Sequence, residues 1–114
     1  MNKTLLMTAT IASLAVNVMA ANNNTLVGTD NNITATSHSS LVSGYQNTIN
    51  ANNALAFGTN NTVTGENGFA GGNNATASGR NSFAFGSHAE SLVEYTVAIG
   101  NQARVSSYDS VPTT

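Results

Sequence analysis

Cysteine is absent from this sequence, proline occurs once, and only 7% of its 114 residues are charged. Each shortage removes a class of explanation. Without cysteine no disulfide can offset a small core, so stability has to come from repetition or assembly. Three basic side chains leave no electrostatic footprint for nucleic acid. His38 and His88 share no repeat position and have no cysteine or paired carboxylate nearby, so neither reads as a metal ligand or general base. Glu90 and Glu94 read as a solvated corner rather than an acid pair. No glycine-rich stretch runs into Lys and Ser or Thr, and Gly71-Gly72-Asn73-Asn74 lacks the aspartate of a calcium-binding repeat. The chain is not expected to be an enzyme or to carry a cofactor. A long hydrophobic run is missing as well: Leu5 to Val18 is broken by Thr8, Thr10, Ser13 and Asn17, too short and interrupted to span a membrane. With Lys3 before it and Val18-Met19-Ala20 after it, the segment 1–20 reads as an export leader.

What the sequence has instead is a repeat. The hexapeptide Asn81-Ser82-Phe83-Ala84-Phe85-Gly86 recurs in variants ending at Gly44, Gly58, Gly72 and Gly100, so that with Gly86 the five glycines stand 14 residues apart, and a looser copy ends at Gly28 before a 16-residue step. Three places before the glycine stand Thr25, Leu41, Leu55, Phe69, Phe83 and Val97; one place before it stand Val27, Ser43, Phe57, Gly71, Phe85 and Ile99. Between them lie Leu26, Val42, Ala56, Ala70, Ala84 and Ala98. Alternation puts the two outer columns on one side of a strand and the small column on the other. Beyond the glycine, Ile33, Ile49, Val63, Ala77, Ser91 and Val105 alternate with the polar column Asn32, Thr48, Thr62, Thr76, Glu90 and Arg104, as in a half-solvated strand. Asparagine and glycine between the strands supply corners.

Two short strands and two turns in each repeat predict an all-β chain, a parallel β-solenoid or β-roll whose coils stack about 4.8 Å apart. The large columns, Leu55, Phe57, Phe69, Phe83, Phe85, Val97 and Ile99, are expected to fill the coil. The alanines 56, 70, 84 and 98 are then expected to face neighbouring subunits, where small side chains admit close approach. The corner glycines are Gly44, Gly58, Gly72, Gly86 and Gly100. At the far end, Asp109-Ser110-Val111-Pro112-Thr113-Thr114 resembles one more hexapeptide, with residues 112–114 either ending the stack or beginning a further repeat.

The hexapeptides Asn-Ser-Phe-Ala-Phe-Gly and Tyr-Thr-Val-Ala-Ile-Gly, with the Thr64-Gly65 and Ser78-Gly79 turns, resemble the head repeats of YadA-like trimeric autotransporter adhesins over residues 21–111. That resemblance implies a left-handed roll, a homotrimer, display at the outer membrane of a Gram-negative-type bacterium, and attachment to host matrix proteins such as collagen. Many weak contacts on one trimer would supply its avidity. No heptad stalk or barrel-forming anchor is seen, so direct membrane insertion is not expected, and an exported soluble head is the other option. The candidate contact face is the polar column Thr48, Thr62, Thr76, Glu90 and Arg104. The same threonine ladder carries a second reading, a soluble ice-binding solenoid. Against it stand the single Thr62-Val63-Thr64 pairing and the charges at Glu90 and Arg104. A purely structural spacer is the third reading. A hexapeptide-repeat acyltransferase is not supported, since neither its six-residue period nor its catalytic histidine is present.

Overall fold

The computed structural model describes residues 16–19, 23–34 and 36–107, with side chains placed from residue 23 onward. Most of the leader segment 1–20 and the terminal hexapeptide from Asp109 therefore lie outside the described residues. Each coil contributes one longer and one shorter strand. The longer ones are β2 (Asn24–Thr29), β4 (Leu41–Tyr45), β6 (Leu55–Thr59), β8 (Phe69–Asn73), β10 (Phe83–Phe85) and β12 (Val97–Ile99). The shorter ones are β3 (Asn32–Ile33), β5 (Thr48–Ile49), β7 (Thr62–Val63), β9 (Thr76–Ala77), β11 (Glu90–Ser91) and β13 (Arg104–Val105). The longer strands stack in parallel, and β1 (Val16–Met19) adds antiparallel to β2 as a seventh strand of that sheet. The shorter strands form a second, six-stranded sheet. The protein is a parallel β-solenoid of about six coils, and identical repeat positions pair across them, as in Ala56↔Ala70 and Thr62↔Thr76.

The corners follow a shorter period than the strands. From Gln46 to Gln102 every seventh residue, Gln46, Asn53, Asn60, Asn67, Asn74, Asn81, His88, Tyr95 and Gln102, is left-handed with φ between 55° and 62°. Each coil is thus two half-turns, and asparagine, whose short polar side chain tolerates this conformation, occupies most of them. The ladder runs on through these corners: the Asn60 N–H donates to the Tyr45 carbonyl at 2.9 Å and Asn74 to Thr59 at 2.9 Å. The 16-residue coil places its extra residues near Thr34–His38. Asn24 secures it by donating to the Ser37 carbonyl at 2.7 Å and accepting from the Ser40 N–H at 3.0 Å.

The interior reverses the expected assignment of the first strand. Val42, Ala56, Ala70 and Ala84 are fully buried inside the coil, in one cluster with Ile33, Ile49, Val63 and Ala77 from the opposite sheet. Ala98 is buried in the same column. Leu55, Phe57, Phe85, Val97 and Ile99 point outward, 37%, 38%, 51%, 60% and 64% exposed, with Phe69 and Phe83 half-buried beside them. These seven residues are therefore not the coil core, and Ala56, Ala70, Ala84 and Ala98 cannot form a subunit interface. The reason is volume. A two-strand coil with tight corners encloses only a thin layer, wide enough for Leu26 or Val42 beside Ile33 and Ile49 but not for a phenylalanine ring.

The inner corner beside each glycine is closed in two ways. Asn47 and Asn61 are fully buried. Asn61 Nδ2 donates to the Phe57 carbonyl at 2.7 Å and the Gly72 carbonyl at 3.0 Å, while its Oδ1 accepts from the Ala75 N–H at 2.8 Å. Asn31 and Asn47 repeat the pattern below it. In later coils alanine takes this place, and the backbone closes on itself: Ala89 N–H donates to the Gly86 carbonyl and Ala103 to Gly100, both at 3.2 Å. From Asn47 to Ala103 the backbone N–H at this position is satisfied by one device or the other.

Candidate functional site

The outward side of the second sheet carries the polar column. Thr48, Thr62 and Thr76 pair in register, with Asn32 before them and Glu90 and Arg104 after them. All five candidate contact residues therefore share one face. Two residues on, just past the end of each strand, runs a second outward column, Thr34, Asn50, Thr64, Ser78 and Leu92. It is held in step by backbone bonds from Asn50 to Val63, Thr64 to Ala77 and Ser78 to Ser91. Sequence reasoning recognised only the Thr62–Thr64 pair. The missed signal was a small hydrogen-bonding residue two places after the threonine in three consecutive coils, Asn50, Thr64 and Ser78, which need not be threonine each time.

Coils repeat about every 4.8 Å, and residues two apart along a strand are about 6.6 Å apart. The face is therefore a two-dimensional grid of hydroxyl, amide and methyl groups. Threonine has a stiff χ1 within a strand, so the grid is already ordered before it meets anything. The hydroxyls of Thr48, Thr62, Thr64 and Thr76 make no hydrogen bond within the described residues and are free for water. Thr34 is the exception, bonded to Ser37 Oγ at 2.8 Å and Asn50 Oδ1 at 3.0 Å.

On this face, charge is confined to the far end of the rod. Arg104 Nη1 lies 2.6 Å from Glu90 Oε2, an ion pair without the angles of a hydrogen bond, and both side chains reach solvent. Around the corner, Arg80 Nη2 donates to Glu94 Oε2 at 3.0 Å and the guanidinium lies 5.9 Å from the Tyr95 ring centroid. The bond to Glu94, helped by Tyr95, pushes the Arg80 pKa up. Exposed pairs of this kind contribute little to stability. The threonine grid, from Asn32 to Ser78, contains no charge at all. Among the described residues no cavity opens into the coil and no group of histidine and carboxylate side chains could hold a metal.

No curated protein and no solved structure matches this chain. A family model does match, over residues 7–101, and its description is the grass antifreeze β-roll rather than a head repeat of trimeric autotransporters. The span takes in all of the coils up to β12, including the whole threonine grid. With the match covering most of its length, the chain belongs to the grass antifreeze β-roll family.

Proposed function

We propose that this protein binds ice, and that the grid of Thr48, Thr62, Thr76, Asn50, Thr64 and Ser78 is the surface that does so. The observation that carries the reading is the in-register threonine ladder with free hydroxyls on an uncharged stretch of the sheet face. A grid with steps near 4.8 Å and 6.6 Å is on the length scale of the oxygen repeats in hexagonal ice. Water held on it by hydroxyls, with methyl groups between them, is already close to a lattice layer. Because the side chains are fixed by the sheet, little side-chain entropy is lost when that layer freezes onto a crystal. Family membership supports the same reading.

Charges at Glu90 and Arg104 bound the grid. They interrupt it only beyond Thr76, leaving the coils from Asn32 to Ser78 as the working area. The test is thermal hysteresis, read together with inhibition of ice recrystallisation. The full chain is expected to hold a crystal without growth over a measurable temperature gap, and Thr62→Lys, which places a long cation in the centre of the grid, is expected to reduce that gap several-fold. Growth of ice at the equilibrium freezing point in the presence of the folded wild-type chain would refute the proposal.

A further inference from the structure

The outward face of the first sheet has a different character. Leu41, Leu55, Phe69, Phe83 and Val97 form one stack and Phe57, Phe85 and Ile99 most of another, and no charged residue interrupts either. Contiguous exposed apolar faces of this size mark interaction sites. We infer that this face docks a second copy of the chain, sheet on sheet, giving a two-fold dimer whose threonine grids point outward in opposite directions.

Four features favour that occupant. The ring faces are already in use: Phe69 and Phe83 stack at 4.5 Å with planes 8° apart, and Phe57 and Phe85 lean on Phe69 at 5.9 Å and 6.3 Å. Gly71 leaves room for this, since a Cβ there would lie 3.0 Å from Phe69 and 3.1 Å from Phe85. The closely stacked Phe69 and Phe83 turn their faces to each other, which disfavours stacking on a sugar and suits interdigitation with another sheet.

Area is the second feature. Taking about 200 Å² for a large side chain, the exposed parts of Leu55, Phe57, Phe85, Val97 and Ile99 come to about 500 Å². Two such faces, with Leu41, Phe69 and Phe83 included, bury about 1,200 Å², the lower edge of stable interfaces. The third is where the face lies. Along the chain the inner column shrinks from Leu26 and Val42 to alanine, and the facing column from Ile49 and Val63 to Ala77 and Ser91, while outside it Ser43 gives way to Phe57, Phe85 and Ile99. The half of the molecule with the thinnest interior carries the largest exterior apolar side chains. A permanent cover restores the burial that this half lacks inside, and another copy is always available to provide it. Lastly, a closed ring of three needs two different patches on each chain, whereas one self-complementary face closes as a two-fold pair.

The inference is independent of ice binding, because the two faces belong to different sheets. Sedimentation equilibrium of the full chain at micromolar concentration tests it. The wild type is expected at the mass of two chains, and Phe85→Lys and Ile99→Lys, each checked for retained β circular dichroism, at the mass of one. Thr64→Lys on the opposite face should leave the mass doubled. A wild type of one-chain mass at every concentration overturns the proposal, as does a three-chain mass or association indifferent to both folded lysine variants. A single-chain wild type that co-floats with neutral phosphatidylcholine vesicles would assign the face to lipid instead.

Discussion

Gly58 stands at a corner with φ of 118°, and a Cβ there would lie 2.1 Å from the Gly72 carbonyl oxygen of the next coil. Gly100 has a similar φ of 126°, but a Cβ there meets only the Ala103 Cβ at 3.9 Å. The two positions separate backbone conformation from stacking. Gly58→Ala is expected to destabilise by about 3 kcal/mol and Gly100→Ala by about 1 kcal/mol in urea unfolding, the difference being the price of displacing a neighbouring strand. At the left-handed corners the sign reverses. Gln46 is exposed with φ of 57°, a conformation asparagine tolerates better, so Gln46→Asn is expected to stabilise by about 0.5 kcal/mol in the same assay. Asn61 sits at the other extreme, buried and bonded three times. Asn61→Ala is expected to cost about 2 kcal/mol, less than three lost bonds suggest, because the corner can close as it does at Gly86–Ala89.

At the scale of the strand, the decisive question is which side of an apolar segment faces in. Ala84 lies fully buried against the facing sheet. Ala84→Leu should therefore lower the melting temperature through overpacking, about 2–3 kcal/mol, rather than act on subunit association as its small size first suggested. The sequence displayed the coil length, the two strands and the corner glycines plainly, because periodicity and turn chemistry are local. It also placed Thr48, Thr62 and Thr76 on one face, since their polar column alternates with Ile49, Val63 and Ala77. The inside of the first strand was not legible in the same way. Both of its sides are apolar, alternation only sorts residues into two sets, and the usual rule that phenylalanine is inside and alanine is indifferent points the wrong way in so thin a coil. Enclosed volume decides, and it depends on both strands at once. The seven-residue spacing of left-handed corners was equally hidden, because asparagine, histidine, tyrosine and glutamine share the position and only the backbone reveals what they have in common.

For the whole molecule, the parallel stack turns one favourable contact into a grid, and the two sheets divide the surface into a polar face, charged only at its far end, and an apolar one. Only the first has free, ordered hydroxyls in two directions, and the account assigns ice to it. Adsorption of a polar grid to ice depends on every coil being in register, so one long charged side chain at its centre acts well beyond its own contacts. The most direct test is partition into a slowly grown ice shell. Wild-type chain and the apolar-face variant Phe85→Lys, both folded, should enter the ice, while Thr62→Lys, equally folded, should remain in the liquid. Entry of Thr62→Lys together with exclusion of Phe85→Lys would contradict the account and assign ice to the opposite face.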